Sequence, residues 1–503
     1  MSIADRAPQI MDRKLALTSV VVILGAFMTI LDTTIVNVAI DSLSREFNTD
    51  LKTIQWITTG YLLALATVIP LTGWAADRFG TKRLYMISML LFVAGSALAG
   101  TATSDEQLIA YRVLQGLGGG MVMPAGMTIL TREAGPERIG RMMSLVGVPM
   151  LMAPIIGPIL GGWLVDDVSW RWIFYVNVPV GIVALFAAMR ILPKDVPSPQ
   201  EKLDWKGLLL LSPGLTAFVF GLSEVASSGG ISATQAWLPM VAGALFIAAF
   251  AMHALRIDYG LLDLHLVKEK VVMRASAATT MLFATAFFGT MFMIPLYYQV
   301  VRGESAFHAG LLLAPQGLAA AMMMPLSGKL TDTHGPGKVV LGGLVLLVIG
   351  LFGWTHVGVD TPLWFTASCQ FVLGLGMGAS MMPAMAAAYQ EMTRDQVARA
   401  TTALNIIQRV GGSIGVALLS VVLTHQLNSV LPAAAAGDGL TGAQTLPAAA
   451  REQVLPGVAD AFGHTFWWSL AIAALAAVPA LWLPRTSRTE SSQAAPEHLV
   501  MEA

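Results

Sequence analysis

Residues 54–104 read IQWITTGYLLALATVIPLTGWAADRFGTKRLYMISMLLFVAGSALAGTATS. Ile54 to Ala76 carries no charge, and neither does Leu84 to Ser104; between them lies the turn-rich, basic GWAADRFGTKR of residues 73–83. Runs of about 20 uncharged, mostly apolar residues match the hydrocarbon thickness of a bilayer, so this stretch predicts two membrane-crossing helices joined by a short polar loop. The whole chain agrees. Of 503 residues 55% are hydrophobic and only 12% charged, whereas soluble domains carry about 25% charged residues. Too few polar groups exist to coat a protein of this length in water.

Reading apolar runs between charged or turn-rich breaks predicts fourteen spans, at 15–39, 54–76, 84–104, 107–131, 140–165, 171–190, 206–223, 236–256, 273–301, 306–330, 338–358, 362–389, 399–426 and 462–484. The span at 206–223 is short, and that at 399–426 carries an internal Arg409. The first segment is too long for a signal-peptide core and lacks a small-residue cleavage site, so it is expected to stay as a span. With both termini assigned to the cytoplasm, five of the 30 Lys and Arg residues fall outside (Arg45, Lys52, Arg171, Arg302, Arg451), two fall within spans (Arg112, Arg409), and the rest mark the cytoplasmic side. The longest external break, 427–461, is rich in Ala, Gly and Pro, and its part from Thr445 to Ala461 predicts a short surface helix. The tail is polar and expected to be disordered.

The loop of residues 73–83 has a second copy. GKLTDTHGPGK repeats Gly73, Asp77 and Gly80 as Gly328, Asp332 and Gly335, with Lys82 answered by Lys338. Each copy occupies the second break of a six-span block, which implies two homologous bundles separated by two extra spans. The expected division is a segment 1–14, a six-helix bundle 15–192, two additional spans within 193–272, a second bundle 273–484 and a tail 485–503. Such paired halves place a transport site at their interface. In the first loop Asp77 can accept from a helix N-terminus or a cation, and Arg78, Lys82 and Arg83 hold the loop to the cytoplasmic face.

On these residues the sequence resembles the major facilitator superfamily, and within it the fourteen-span drug:proton antiporter family (EmrB/QacA-like), over nearly its whole length. The loop is the superfamily signature. LDTTIVNVAI (Leu31 to Ile40) resembles the family's first-helix motif through Asp32, Thr33 and Asn37, though Asp41 stands where relatives have Pro. Arg112, Gln115, Gly116, Gly118 and Gly119 match a pattern in which an intramembrane Arg is tied to proton coupling. APIIGPILGG (Ala153 to Gly162) resembles the antiporter motif through Pro154, Gly157, Pro158, Gly161 and Gly162, with Ala153 in place of its first Gly. WRWIFYVNVPVG (Trp170 to Gly181) is typical of fourteen-span members. The resemblance implies an all-α major facilitator fold with 14 transmembrane helices as 6+2+6, in the plasma (inner) membrane. It also implies proton-driven export of drugs or other hydrophobic or amphiphilic molecules by alternating access.

Ionisable residues inside spans are costly and functional by default. Asp32 reads either as a helix-end residue near the outer interface or as the proton carrier; the resemblance favours the carrier. Arg112 reads either as snorkelling outward or as a fixed charge that favours the ionised form of a nearby carboxyl. Arg409, among Asn405, Gln408 and small residues, reads either as helix packing or as a cavity cation for an anionic substrate group. The glycines and prolines of 147–162 bend their span and allow close packing. Of the 28 methionines, Met121, Met123, Met150 and Met152 are the candidates for an adaptable apolar pocket, and Asn37, Gln115, Asn405 and Arg409 are the polar candidates for the substrate cavity. Glu391, His308 and His425 read as interfacial.

Asp32 is nearly alone beside two arginines, so neutral, lipid-like or weakly anionic cargo is expected over dications. Export of an endogenous lipid or metabolite on the same fold is the alternative. A single cysteine, Cys369, excludes an intrachain disulfide, and no metal-ligand spacing, phosphate loop or soluble catalytic domain points to an enzyme or a cofactor. A net charge of -1 argues against nucleic acid. The expected partners are the lipid bilayer, protons and a small molecule; an adaptor protein is not legible.

Overall fold

A backbone inside hydrocarbon must satisfy its own hydrogen bonds, which favours helices, and every regular element among the described residues is helical. The computed structural model describes residues 13–49, 51–134, 138, 142, 146–147, 152–153, 156–157, 159–194, 197, 202–228, 233–257, 260–390, 392–393, 396–431 and 448–486. The long helices are α1 (Arg13–Phe47), α2 (Leu51–Val68), the shorter α3 (Leu71–Phe79) that continues it, α4 (Thr81–Gly100), α5 (Asp105–Ala134) and α6 (Asn177–Ile191). A pair follows, α7 (Trp205–Ser228) and α8 (Thr234–Ala254). The second half comprises α9 (Val271–Val300), α10 (Ala314–His334), α11 (Pro336–Trp354), α12 (Leu363–Tyr389), α13 (Val397–Val430) and α14 (Ala448–Ala480).

Twelve helices among the described residues are long and apolar enough to cross a membrane; α2 and α3, bent by 56° at their junction, make a thirteenth. The bend falls at Pro70, which has no N–H to give. The span expected at 140–165 lies largely outside the described residues and ends in a π-turn, Leu164–Val168. The surface helix expected within 445–461 is not a separate element: its described part forms the first turns of α14, which runs unbroken from Ala448 to Ala480. Outward-facing side chains are apolar, with Leu90, Val183, Leu245 and Val345 each more than half exposed, as lipid rather than water requires.

The sequence repeat is also a packing repeat. Gly116 and Gly120 of α5 abut the Tyr61 and Leu65 carbonyls of α2, while Gly118 abuts Phe92 and Ser88 of α4. In α12, Gly374 and Gly378 abut the Gln316 and Ala320 carbonyls of α10, while Gly376 abuts Leu347 and Gly343 of α11. In both helices alternate glycines face two different neighbours, and any side chain there would push the backbones apart. The pair α7–α8 docks on the flank formed by α2 and α13.

Candidate functional site

Asp32, on α1, is fully buried, and its carboxylate collects three donors from two other helices. Arg112 Nη1 of α5 donates to Oδ2 at 2.5 Å, and Gln115 Nε2, one turn further along α5, donates to Oδ1 at 2.8 Å. Asn177 Nδ2, at the start of α6, donates to the same Oδ1 at 3.0 Å. Arg112 Nη1 also donates to Gln115 Oε1 at 2.7 Å, fixing the amide's orientation. Asn177 reaches Ser96 Oγ of α4 at 3.1 Å, and Ser96 in turn donates to the Phe174 carbonyl at 2.9 Å.

Arg112 is fully buried as well, so the reading of an outward-snorkelling side chain is overturned. Its guanidinium carbon lies 4.1 Å from the Tyr61 ring centroid, a cation–π arrangement with α2. Its Nη2 has no hydrogen-bond partner. Five helices, α1, α2, α4, α5 and α6, therefore meet at one ion pair. A charge removed from water is tolerated only when paired and hydrogen-bonded, and the donors converge on an unprotonated carboxylate. A proton added to Asp32 turns an acceptor oxygen into a donor and sets it against the three existing donors.

The loop residues lie at another place. Gly80 and Gly335 adopt φ of 89° and 85°, the left-handed region that favours glycine, and each lets one helix end and the next begin at once. Asp77 Oδ1 accepts from Arg132 Nη2 of α5 at 3.0 Å, and Oδ2 lies 3.7 Å from Arg399 Nε of α13. Cations, one of the two expected partners, thus reach it from each half of the chain. Gly73 sits against Ala398, Arg399 and Thr402, so α3 rests directly on α13. Lys82 Nζ donates to the Met189 and Leu192 carbonyls, both at 2.8 Å, capping the end of α6. Arg78 and Asp332 are half-buried.

In the glycine-rich segment Thr34 Oγ1 of α1 donates to the Ala153 carbonyl at 3.3 Å, and Gly157 and Gly161 press on Thr34 and Ile35. The segment thus packs on α1 beside Asp32. Gly162 has open space around it. Pro154, Pro158, Met150 and Glu391 lie outside the described residues, as does the side chain of Asn37.

Met121 is buried in the packing of the N-terminal bundle, whereas Met123 and Met152 are half-buried. Asn405 donates to the Thr401 carbonyl of its own helix at 2.9 Å. Arg409 is exposed although protein surrounds it, and it lies within electrostatic reach of the Tyr61 hydroxyl across the two halves. It thus faces α2, the helix whose Tyr61 ring also lies under the Arg112 guanidinium. His308 and His425 are exposed.

Asn177, Ser96, Tyr61 and Arg399 carry geometry that sequence reading did not assign. Asn177 stands inside the quoted WRWIFYVNVPVG, and a lone amide in an otherwise apolar span start is the one signal it offered. Among the described residues no group of three or more His, Cys, Asp or Glu side chains could hold a metal ion.

A sequence profile of the Major Facilitator Superfamily matches residues 22–416. The chain is 41% identical over 497 residues to a multidrug resistance protein B homolog of Mycobacterium tuberculosis, covering 95% of this chain and 92% of that one. It is 30% identical over 418 residues to the multidrug export protein EmrB of Haemophilus influenzae, covering 82% of each. Among solved structures it resembles the proton:xylose symporter XylE, with a TM-score of 0.60 at 15% identity, covering 93% of this chain and 95% of that one.

Proposed function

The chain belongs to the major facilitator superfamily, and from that premise we propose that it is a proton-coupled antiporter exporting drugs and other hydrophobic or amphiphilic small molecules across the cell membrane. Transport, not catalysis, is the business of the family, and relatives named for multidrug resistance and export match most of its length. The proposal takes fourteen spans as 6+2+6, the fourteenth being the segment 140–165, with both termini in the cytoplasm.

The observation that carries the coupling is the Asp32–Arg112 pair with its Gln115 and Asn177 donors. In this arrangement Asp32 is the charged, proton-released form. A proton arriving on it cancels half of the pair and leaves Arg112 buried with Gln115 and the Tyr61 ring. Removing one partner of a buried pair costs about 3–5 kcal/mol, enough to favour a rearrangement of the five helices joined there. Gly157 and Gly161 put the packing of the next span on the same stretch of α1, so that movement is passed to the interface between halves.

Asp77 with Arg399, and Gly73 with α13, join the halves at the loop end. Arg409, about three turns along the same helix, is exposed. We read the gap as closed at the loop end and open away from it, the state that releases cargo. We place Arg409 in this gap, with half-buried Met123 and Met152 as the methionines left to line it. A cation at membrane depth favours neutral or weakly anionic cargo over dications.

The test is reconstitution in liposomes with an imposed pH gradient. Asp32→Asn should abolish gradient-driven efflux while substrate binding persists. Antiport unchanged by that substitution would remove the proton role, and a strong preference for divalent cations would contradict the role given to Arg409.

A further inference from the structure

Where α7 lies along α2 the two helices enclose a crevice of about 700 Å³, within the size range of small-molecule sites. On α2 its wall includes Trp56, Leu63 and Thr67, and on α7 Leu209, Ser212 and Thr216; steps of three, four and seven place each set on one helix face. Trp56 and Leu209 are exposed on the outer surface, so the crevice opens towards lipid. The Trp56 and Phe220 rings stack at 5.8 Å and close one end. The Thr67 and Thr216 hydroxyls bond at 2.8 Å and tie the walls together.

Two features identify the occupant. The first is shape. From Trp56 to Val68 the α2 wall is about 18 Å long at 1.5 Å per residue. The crevice is therefore an elongated slot running along two helices, the shape that an extended hydrocarbon chain fills.

The second feature is Ser212. It is only 5% exposed, and its hydroxyl has no hydrogen-bond partner. Hydroxyls in helices ordinarily return to the carbonyl four residues back, as Ser88 does to Leu84 and Thr128 does to Pro124. Ser212 makes no such bond in the apolar wall of a lipid-facing crevice, where an unmade bond is costly. A donor left in reserve there fits an occupant that is apolar along its length and has one acceptor.

We propose that the crevice between α2 and α7 binds one acyl chain of an ester-linked bilayer lipid, whose ester carbonyl accepts from Ser212. Because α7 also packs on α13, the chain wedges between the accessory helix pair and the first bundle without entering the gap that contains Arg409. The site stands independently of the transport reaction.

The experiment uses the intact protein in liposomes containing a phospholipid with a photoactivatable diazirine on one acyl chain. Adducts are mapped by peptide mass spectrometry. Leu209, Ser212, Thr216 and Leu63 should be labelled several-fold above Leu245 and Val345, which are exposed to lipid but lie outside the crevice. An ether-linked probe, lacking the carbonyl, should label the crevice about fivefold less, the worth of one net hydrogen bond, and Ser212→Ala should erase that difference while leaving the fold intact. Labelling in proportion to exposure alone overturns the site, and equal ester and ether labelling of the wild type overturns the role of Ser212. Displacement of the lipid adducts by a membrane-partitioned export dye, or chain-to-chain crosslinks at these residues, would assign the crevice to a different occupant and overturn the proposal as well.

Discussion

In α5 Arg112 stands four residues before the series Gly116–Gly118–Gly120; in α12 Gln370 stands four residues before Gly374–Gly376–Gly378. The glycines do the same work in both halves, each series seating its helix on two neighbours. The polar residues ahead of them do not. Arg112 holds Asp32 in a five-helix ion-pair cluster. Gln370 donates to the Tyr298 hydroxyl at 3.2 Å and the Leu312 carbonyl at 2.9 Å, with no charge involved. Where α1 carries Asp32, α9 carries Thr290, bonded to Ser469 of α14 at 2.5 Å. The backbone scheme is shared, while among the described residues the buried Arg–Asp pair stands in the first half. A charge pair stores free energy that a proton can release; a hydroxyl and amide network holds its shape whatever the pH. One half can thus act as the switch against a second that does not respond.

The most damaging change should be the one that makes the first half resemble the second. Arg112→Gln leaves Asp32 buried without a counter-charge, at a cost of about 3–5 kcal/mol. Gradient-driven efflux in liposomes should fall to background, and the unfolding temperature should drop. Adding Asp32→Asn should restore much of the stability without restoring transport, because the pair is removed whole. Recovery of transport in the double variant would mean that the coupling lies elsewhere.

The reverse change is next in size. Gln370→Arg places a cation where the Tyr298 hydroxyl and the Leu312 carbonyl offer neutral acceptors. An arginine costs about 2.5–3.5 kcal/mol at the centre of a span on insertion scales, an upper bound for position 370, two turns from the start of α12. Thermal unfolding should show the loss, and efflux per folded molecule should change far less than in Arg112→Gln. Equal loss of efflux per folded molecule would erase the distinction between switching and static halves.

The shared skeleton makes a third test. Gly118→Val and Gly376→Val each force a side chain against backbone of the neighbouring helix, and overpacking costs about 1–3 kcal/mol. Unfolding measurements should give similar penalties in both halves. Tolerance of one and not the other would show that the packing equivalence is only approximate.

These contrasts also explain what the sequence made legible. Charges are rare enough in apolar spans that Asp32 and Arg112 stand out, and a turn needing glycine at a left-handed position twice leaves a visible repeat at Gly80 and Gly335. The partners are harder to read. Asn177 and Ser96 are neutral, and many spans contain such residues; what singles them out is a meeting with Asp32, 145 residues from Asn177, that only the folded bundle brings about. Arg399 sits near a helix start in a stretch of balanced charge, EMTRDQVARA, and pairs with Asp77 only because α3 lies on α13. The span at 140–165 is legible as an apolar run with glycines, yet the spacing does not say that Gly157 and Gly161 press on Thr34 and Ile35 of α1.

The smallest effect separates the two loops themselves. Lys82 caps α6 through a charged side chain that donates to two carbonyls at the helix end, where a cation also meets the negative pole of the helix dipole. In the second loop the corresponding tie is backbone: the Gly337 N–H donates to the Pro484 carbonyl at 2.8 Å, and Lys338 is exposed. Lys82→Ala should therefore cost about 0.3–1 kcal/mol, read as a small drop in unfolding temperature at low salt that shrinks as salt screens the charge. Lys338→Ala should stay within about 0.5 kcal/mol of wild type at any salt concentration, as surface substitutions usually do. If the two variants behaved alike, the side-chain clasp on α6 would contribute nothing beyond what the backbone tie supplies in the other half, and the asymmetry between halves would be confined to the buried ion pair.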